Sequence, residues 1–180
     1  GAREIVAALL LAGPLHVAQL RHAIRYTQDL PAALKVAGRV RELDPRGQLT
    51  ALREIQRALS ERGAGLPKEF AALAAAEAVA KAMNQVGLQA EAVKLVRELK
   101  LTTAYDAVVA LLRTPSNQDE PKVSAVDALA ALDGRRASAD LPGVIADEKE
   151  RAGVRLRAIN ALASINSPES RAALLERLKV

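Results

Sequence analysis

The chain has 180 residues, half of them apolar, but with 38 Ala and 27 Leu against 21 Val plus Ile and three aromatics, Tyr26, Phe70 and Tyr105. That mix lacks the β-branched and aromatic side chains that suit a pleated surface, and it excludes a β-sandwich or barrel. Cysteine is absent, which removes disulfides, thiolate metal sites and covalent haem attachment. The net charge of +5 is mild, and most of the excess lies in residues 1–90, with 12 basic and 8 acidic side chains against 14 and 13 in residues 91–180.

The longest apolar run, residues 5–12, is far short of the ~20 residues a membrane helix needs, so no membrane span is expected. Glu4 sits where a signal peptide carries a purely basic flank, so residues 3–11 read as an amphipathic helix. The first residue is Gly, and the expectation is of a processed or recombinant N-terminus. Helical spacing then recurs over residues 14–29, 31–43 and 45–62, with Pro14, Pro31 and Pro45 at the starts. A proline there removes an N–H that has no partner in any case. Gly63-Ala64-Gly65 breaks the chain as a flexible hinge. Residues 67–86 follow as the longest predicted helix, with Phe70, Leu73, Ala76, Val79, Met83 and Val86 spaced by three and four. Its many alanines imply close approach of a neighbouring helix.

The second half repeats itself. The segment from Ala92 to Leu99 aligns with that from Ala125 to Leu132 and with that from Ala158 to Ile165, at an offset of 33 residues each time. The following helix keeps the register, since Val108, Leu141 and Leu174 are equivalent, as are Leu112, Ile145 and Leu178. A two-helix unit of this length buries its apolar face by stacking on its neighbours.

These residues resemble HEAT repeats of the short type found in phycobilisome lyases. Val154-Arg155, Ala161-Leu162 and Ile165, then Ser167-Pro168, then Leu174-Leu175 and Leu178 carry the pattern best. Ser167 is the expected N-cap, with Glu169 near the positive end of the helix dipole. The resemblance implies an all-α fold: a right-handed α-solenoid of stacked helical hairpins, with about 10–11 helices. It implies one continuous domain, with irregular hairpins over residues 1–87 and repeats at 88–120, 121–153 and 154–180, the last incomplete. Pro142 falls inside the expected first helix of the middle repeat, which should start late and be short, and Gly153 should loosen the next junction. The chain is expected to stop after the first helix of its last repeat. An uncapped apolar end of that kind points to a longer parent protein or an end-to-end contact. The segment Leu20-Arg21-His22-Ala23-Ile24-Arg25-Tyr26 is similar to the helical region of large secreted bacterial proteins that join a sugar-dehydrogenase-like propeller, HEAT repeats and a c-type haem module. That similarity implies an extracytoplasmic bacterial setting. No Cys-x-x-Cys-His is present, so it carries over no haem ligand.

Chemistry-bearing residues are few. His16 and His22 are the only histidines and, six residues apart, point ~240° from each other on a helix. They cannot share a metal. His22 and Tyr26, one turn apart, read as a hydrogen-bonding histidine beside a packed tyrosine. Gly63-Ala64-Gly65 lacks the third glycine and the strand context of a phosphate loop. Ser60, Ser138 and Ser164 have no histidine to activate them. Asp119-Glu120 and Asp147-Glu148 read as helix caps rather than as an acid–base pair or a Ca²⁺ loop. No enzyme activity and no cofactor are expected.

Two surfaces remain as binding candidates. By the resemblance, the second helix of each repeat lines a concave face. The repeat alignment places Glu91, Lys94 and Glu98, then Ser124, Asp127 and Ala131, then Arg157, Asn160 and Ser164 on it, since positions i, i+3 and i+7 share a helix face. The mixed charge suits a protein partner or another domain of the parent chain, and a plain solvated face is the competing reading. The alternative is a basic groove from Arg21 with Arg25, Lys35 with Arg39, and Arg53 with Arg57, three i, i+4 pairs on successive helices. Six cations in one groove would neutralise phosphates, as in the HEAT-like DNA-alkylation-repeat enzymes. Glu42, Asp44, Glu54 and Glu61 nearby and the shortage of aromatics to stack on bases weigh against it. So does the habit of long basic side chains of simply covering apolar surface. The expected function is therefore a non-catalytic protein-interaction scaffold or spacer, with nucleic-acid binding second.

Overall fold

A computed structural model describes Glu4, Ala8 and residues 15–65, 75–115 and 118–177. The described residues form ten α-helices and no strand. In chain order these are α1 (Val17–Tyr26), α2 (Leu30–Gly38), α3 (Pro45–Glu61), α4 (Ala76–Met83) and α5 (Gln89–Glu98). Then come α6 (Tyr105–Arg113), α7 (Asp119–Leu132), α8 (Gly134–Ala146), α9 (Ala152–Ile165) and α10 (Pro168–Arg177). Short 3₁₀ turns, Arg39–Glu42 and Thr102–Ala104, follow α2 and precede α6. The chain divides into two compact units, residues 1–82 and 83–180.

In the first unit α1 packs along α3, and the core takes Leu20 and Ile24 from one and Leu49, Leu52, Ile55 and Leu59 from the other. The expected prolines do their work at the starts of α2 and α3. Asp29 and Asp44 accept from Ala32 N and Gly47 N, with Pro31 and Pro45 in the first turn. At the other end of α3, Gly63 has φ +69°. Ala64 N donates to Leu59 O and Gly63 N to Ser60 O. This is a Schellman closure, for which a left-handed glycine is needed. Gly63 thus has a defined capping role.

Several sequence expectations are corrected here. The helix drawn through residues 67–86 stops at Met83, and Val86 is 83% exposed, so its place on the apolar stripe is lost. Phe70 and Leu73 lie outside the described residues, as does all of the predicted helix over residues 3–11 except Glu4 and Ala8, which are helical. Tyr26 is not packed but 56% exposed, its ring 4.7 Å from that of His22. The helix bearing Pro142 is neither late nor short. α8 begins directly after Asp133, which caps it by accepting from Arg136 N, and runs 13 residues through the proline. A proline at this point removes the bond to the carbonyl of Ser138 and sets its ring against that carbonyl. The burial of Ala137, Ser138 and Leu141 keeps the helix together. Gly153 sits within the first turn of α9 rather than in a loose junction. α10 does not stand alone, since it packs on both α8 and α9.

In the second unit α7 packs against both α5 and α9, and α6 and α8 also pack against α7. The repeat register survives in the packing. Ala92, Ala125 and Ala158 are fully buried, as are Val96, Leu129 and Leu162. Cross-helix ion pairs give the sense of the helices. Lys94 meets Glu120 and Arg97 meets Asp127, while Asp119 meets Arg151 and Asp127 meets Arg157. Residue numbers rise together in each set, so α5, α7 and α9 run parallel. Asp106 with Arg136 and Arg113 with Asp140 make α6 and α8 parallel in the same way.

Candidate functional site

The polar stripe read from the repeats lies on α5, α7 and α9, the first helix of each 33-residue segment as delimited above rather than the second. All nine of its residues are outside the core. Glu91, Ser124 and Asp127 are half-buried, and Lys94, Glu98, Ala131, Arg157, Asn160 and Ser164 are exposed. They stay outside because alanine and branched residues one position away, such as Ala92, Ala125 and Ala158, take the buried face.

Asp127 is the hub of this surface. Its Oδ1 accepts from Arg157 Nε at 2.5 Å, and its Oδ2 is 3.7 Å from an Arg97 nitrogen. One carboxylate on the middle helix thus holds a guanidinium from each flanking helix. The bond to Asp127 holds the Arg157 guanidinium further above its ordinary value. Lys94 donates to Glu120 at 2.7 Å, and Ser164 turns its hydroxyl back to Asn160 O. Around Asp127 opens a groove of about 380 Å³. Ala130, Ala131 and Ala161 line it together with Arg97, Arg157, Asn160, Ser164 and Ile165. Small alanines let a ligand backbone come close, while the arginines, the amide and the hydroxyl supply donors. Arg97 escaped the sequence reading because its repeat equivalents are Ala130 and Ala163, so no periodic signal marked it. A cation three residues after Lys94, on the same face, was the one available clue.

Asp119 and Glu120 lie in the first turn of α7, but neither side chain caps it. They are spent on Arg151 and Lys94. Asp147 does bond a nearby backbone, accepting from Lys149 N in the loop before α9. Ser167 caps α10 as expected, accepting from Ser170 N.

The basic pairs of the first unit are drawn to carboxylates. Arg21 bonds Glu61 at 2.6 Å and lies 3.5 Å from Glu54, and Arg25 lies 3.1 Å from Glu61. Arg57 pairs with Glu54 at 2.8 Å and Arg39 with Glu42 at 2.8 Å. The bond from Arg21 holds the Glu61 carboxyl below its ordinary range, and Arg39 does the same to Glu42. Arg53 lies on α3 and Lys35 on α2, where Lys35 is exposed. The structure brings Arg21, Arg25 and Arg57 to one α1–α3 seam, around two glutamates rather than an open groove.

Among the described residues no cluster of three metal-ligating side chains occurs, and no helix is long and apolar enough to cross a membrane. Compared with protein families, curated proteins and solved structures, the chain matches none.

Proposed function

We propose that the chain is a non-catalytic protein-interaction scaffold built from HEAT-like repeats stacked as an α-solenoid, a part of a larger protein, and that it meets its partner through the polar face of α5, α7 and α9. The observation that carries this reading is the alanine-floored groove around Asp127, rimmed by Arg97, Arg157, Asn160 and Ser164. Its size falls at the lower end of the ~300–1,000 Å³ of ordinary binding sites. An extended polypeptide suits it, with backbone carbonyls or a carboxylate taken by the rim donors and the backbone lying on the alanines. A phosphate backbone suits it less, because the central carboxylate holds both arginines and cancels one of their two charges. The α1–α3 seam, where Glu54 and Glu61 cancel two of the three charges of Arg21, Arg25 and Arg57, favours a protein partner over nucleic acid in the same way.

The test is a selection of displayed random peptides against the whole chain, followed by affinity measurement on Ala131→Glu and Asn160→Glu variants. The reading expects each substitution to weaken the selected peptides at least tenfold while helicity is unchanged. Peptides that bind both variants as they bind the parent would refute it.

A further inference from the structure

The groove around Asp127 is unevenly supplied with charge and with hydrogen-bonding groups. Arg97 from α5 and Arg157 from α9 share the one carboxylate between them, at 3.7 Å and 2.5 Å. Among the described residues these three are the only charged side chains that line the groove, so one positive charge is left over. The donors are as unbalanced as the charge. Arg157 spends its Nε on Asp127 Oδ1, and its two terminal nitrogens bond no acceptor among the described residues. Arg97 lies beyond hydrogen-bond range of Asp127 and bonds none at all, and the Asn160 side-chain amide has no partner either. The Arg97 and Arg157 side chains keep 45% and 46% exposure, with Asp127 at 19% between them, so the two guanidiniums stand at the rim.

What the groove lacks is acceptors and one negative charge. A carboxylate supplies both, since it balances the excess and offers two oxygens to planar guanidiniums, the geometry in which charge-assisted hydrogen bonds are strong. The second charge of a phosphate group would stand against Asp127 with no cation left to meet it. The floor is alanine and offers no side-chain donor. A terminal carboxylate, being part of the main chain, would lie on that floor, whereas the side chain of an internal Asp or Glu reaches up to the rim. Resting on the reading of this groove as a polypeptide site, we propose that the partner segment carries an internal acidic side chain held between Arg97 and Arg157, with a neighbouring main-chain carbonyl taken by the Asn160 amide. Arg97 is the residue that makes the site selective for charge. Without it the Asp127–Arg157 pair is neutral, and an acidic segment meets no net attraction.

The test selects random peptides, embedded in flanking sequence so that neither end is free, against the whole chain, and a second library with free C-termini supplies the other source of a carboxylate. The tightest peptide is made with blocked ends and titrated by anisotropy, beside forms in which Asn or Gln replaces each Asp or Glu. One acidic position shared by the selected peptides is expected, at which the neutral amide weakens binding about five- to tenfold. With Arg97→Gln in the protein, the acidic and amide peptides should bind within about twofold of each other, helicity unchanged. Ala131→Gln, which narrows the floor without adding a charge, reports separately on whether the groove is occupied. Peptides that Ala131→Gln weakens but that carry no acidic residue would overturn the acidic specificity and leave the groove reading standing. So would a preference for the acidic peptide that survives Arg97→Gln, or binding only by peptides with a free C-terminal carboxylate. Peptides indifferent to Ala131→Gln would remove the groove reading, and this inference with it.

Discussion

Lys122 and Glu150 form the one ion pair among those described whose two side chains are both nearly sealed from water, at 7% and 8% exposure. Lys122 stands in the first turn of α7, and Glu150 in the loop that leads into α9. The second oxygen of Glu150 accepts from Arg151 N, next to the start of that helix. Removing Lys122 leaves a carboxylate almost shut off from water, and breaking a buried pair from one side costs about 3–5 kcal/mol. For a unit of about 100 residues each kcal/mol is worth about 4–8 °C in Tm, so Lys122→Met should lower the melting point of this unit by more than about 12 °C. Replacing both partners with apolar residues should recover most of that, since a well-packed apolar pair is often as stable as the ions it replaces. Differential scanning calorimetry of the parent, Lys122→Met, Glu150→Leu and the double variant closes the cycle. Glu150→Gln, which can keep the bond to Arg151 N, isolates the charge. A Lys122→Met chain within about 1 kcal/mol of the parent, or a double variant as unstable as the sum of the singles, would refute the reasoning.

The Arg62 guanidinium donates to both Ile24 O and Thr27 O at 2.7 Å, closing the end of α1; Arg62→Ala should cost about 1–2 kcal/mol of the first unit's stability, read by urea titration. Pro142→Ala should stabilise the second unit by about 1–3 kcal/mol, because it restores an N–H for Ser138 O and removes the ring's clash, and a lower melting point would contradict this. The carboxyl of Glu61 is held below its ordinary 4.5 by Arg21, so between the two values the folded chain binds fewer protons than the unfolded one. The pair's contribution is therefore present above about 4.5 and fades as pH falls through the folded value. Melting points recorded from pH 6 to pH 3 should drop less steeply in Glu61→Gln than in the parent. Duplex DNA should show no salt-sensitive binding at near-physiological salt, by anisotropy, because Arg21, Arg25, Arg39 and Arg57 are held by Glu42, Glu54 and Glu61, which cancel three of their four charges.

The apolar repeat was legible in the sequence because burial acts on one position at a time: Ala92, Ala125 and Ala158 each had to be small and apolar whatever their neighbours were. The polar contacts are properties of pairs, and in the second unit the partners on different helices stand 26 to 35 residues apart without a fixed spacing. Lys94 with Glu120 and Tyr105 with Asp140 are the two extremes. Thus Asp127 was placed outside the core, where it stands, but its bonds to Arg157 and Arg97 were not foreseen. Val86 shows the opposite failure. Apolar spacing continued past the end of α4, since periodicity cannot see that Gly87, with φ +90°, turns the chain just beyond. Pro142 misled because a proline's local cost was weighed without the tertiary packing of Leu141 beside it.

The central claim, that the α5–α7–α9 face receives a polypeptide, is tested most directly by hydrogen exchange of the whole chain with and without the tightest selected peptide. The account predicts slowed exchange in residues 89–98, 119–132 and 152–165, lost when Asn160 is replaced by Glu. Slowing confined to residues 17–61, or none at saturating peptide, would contradict it.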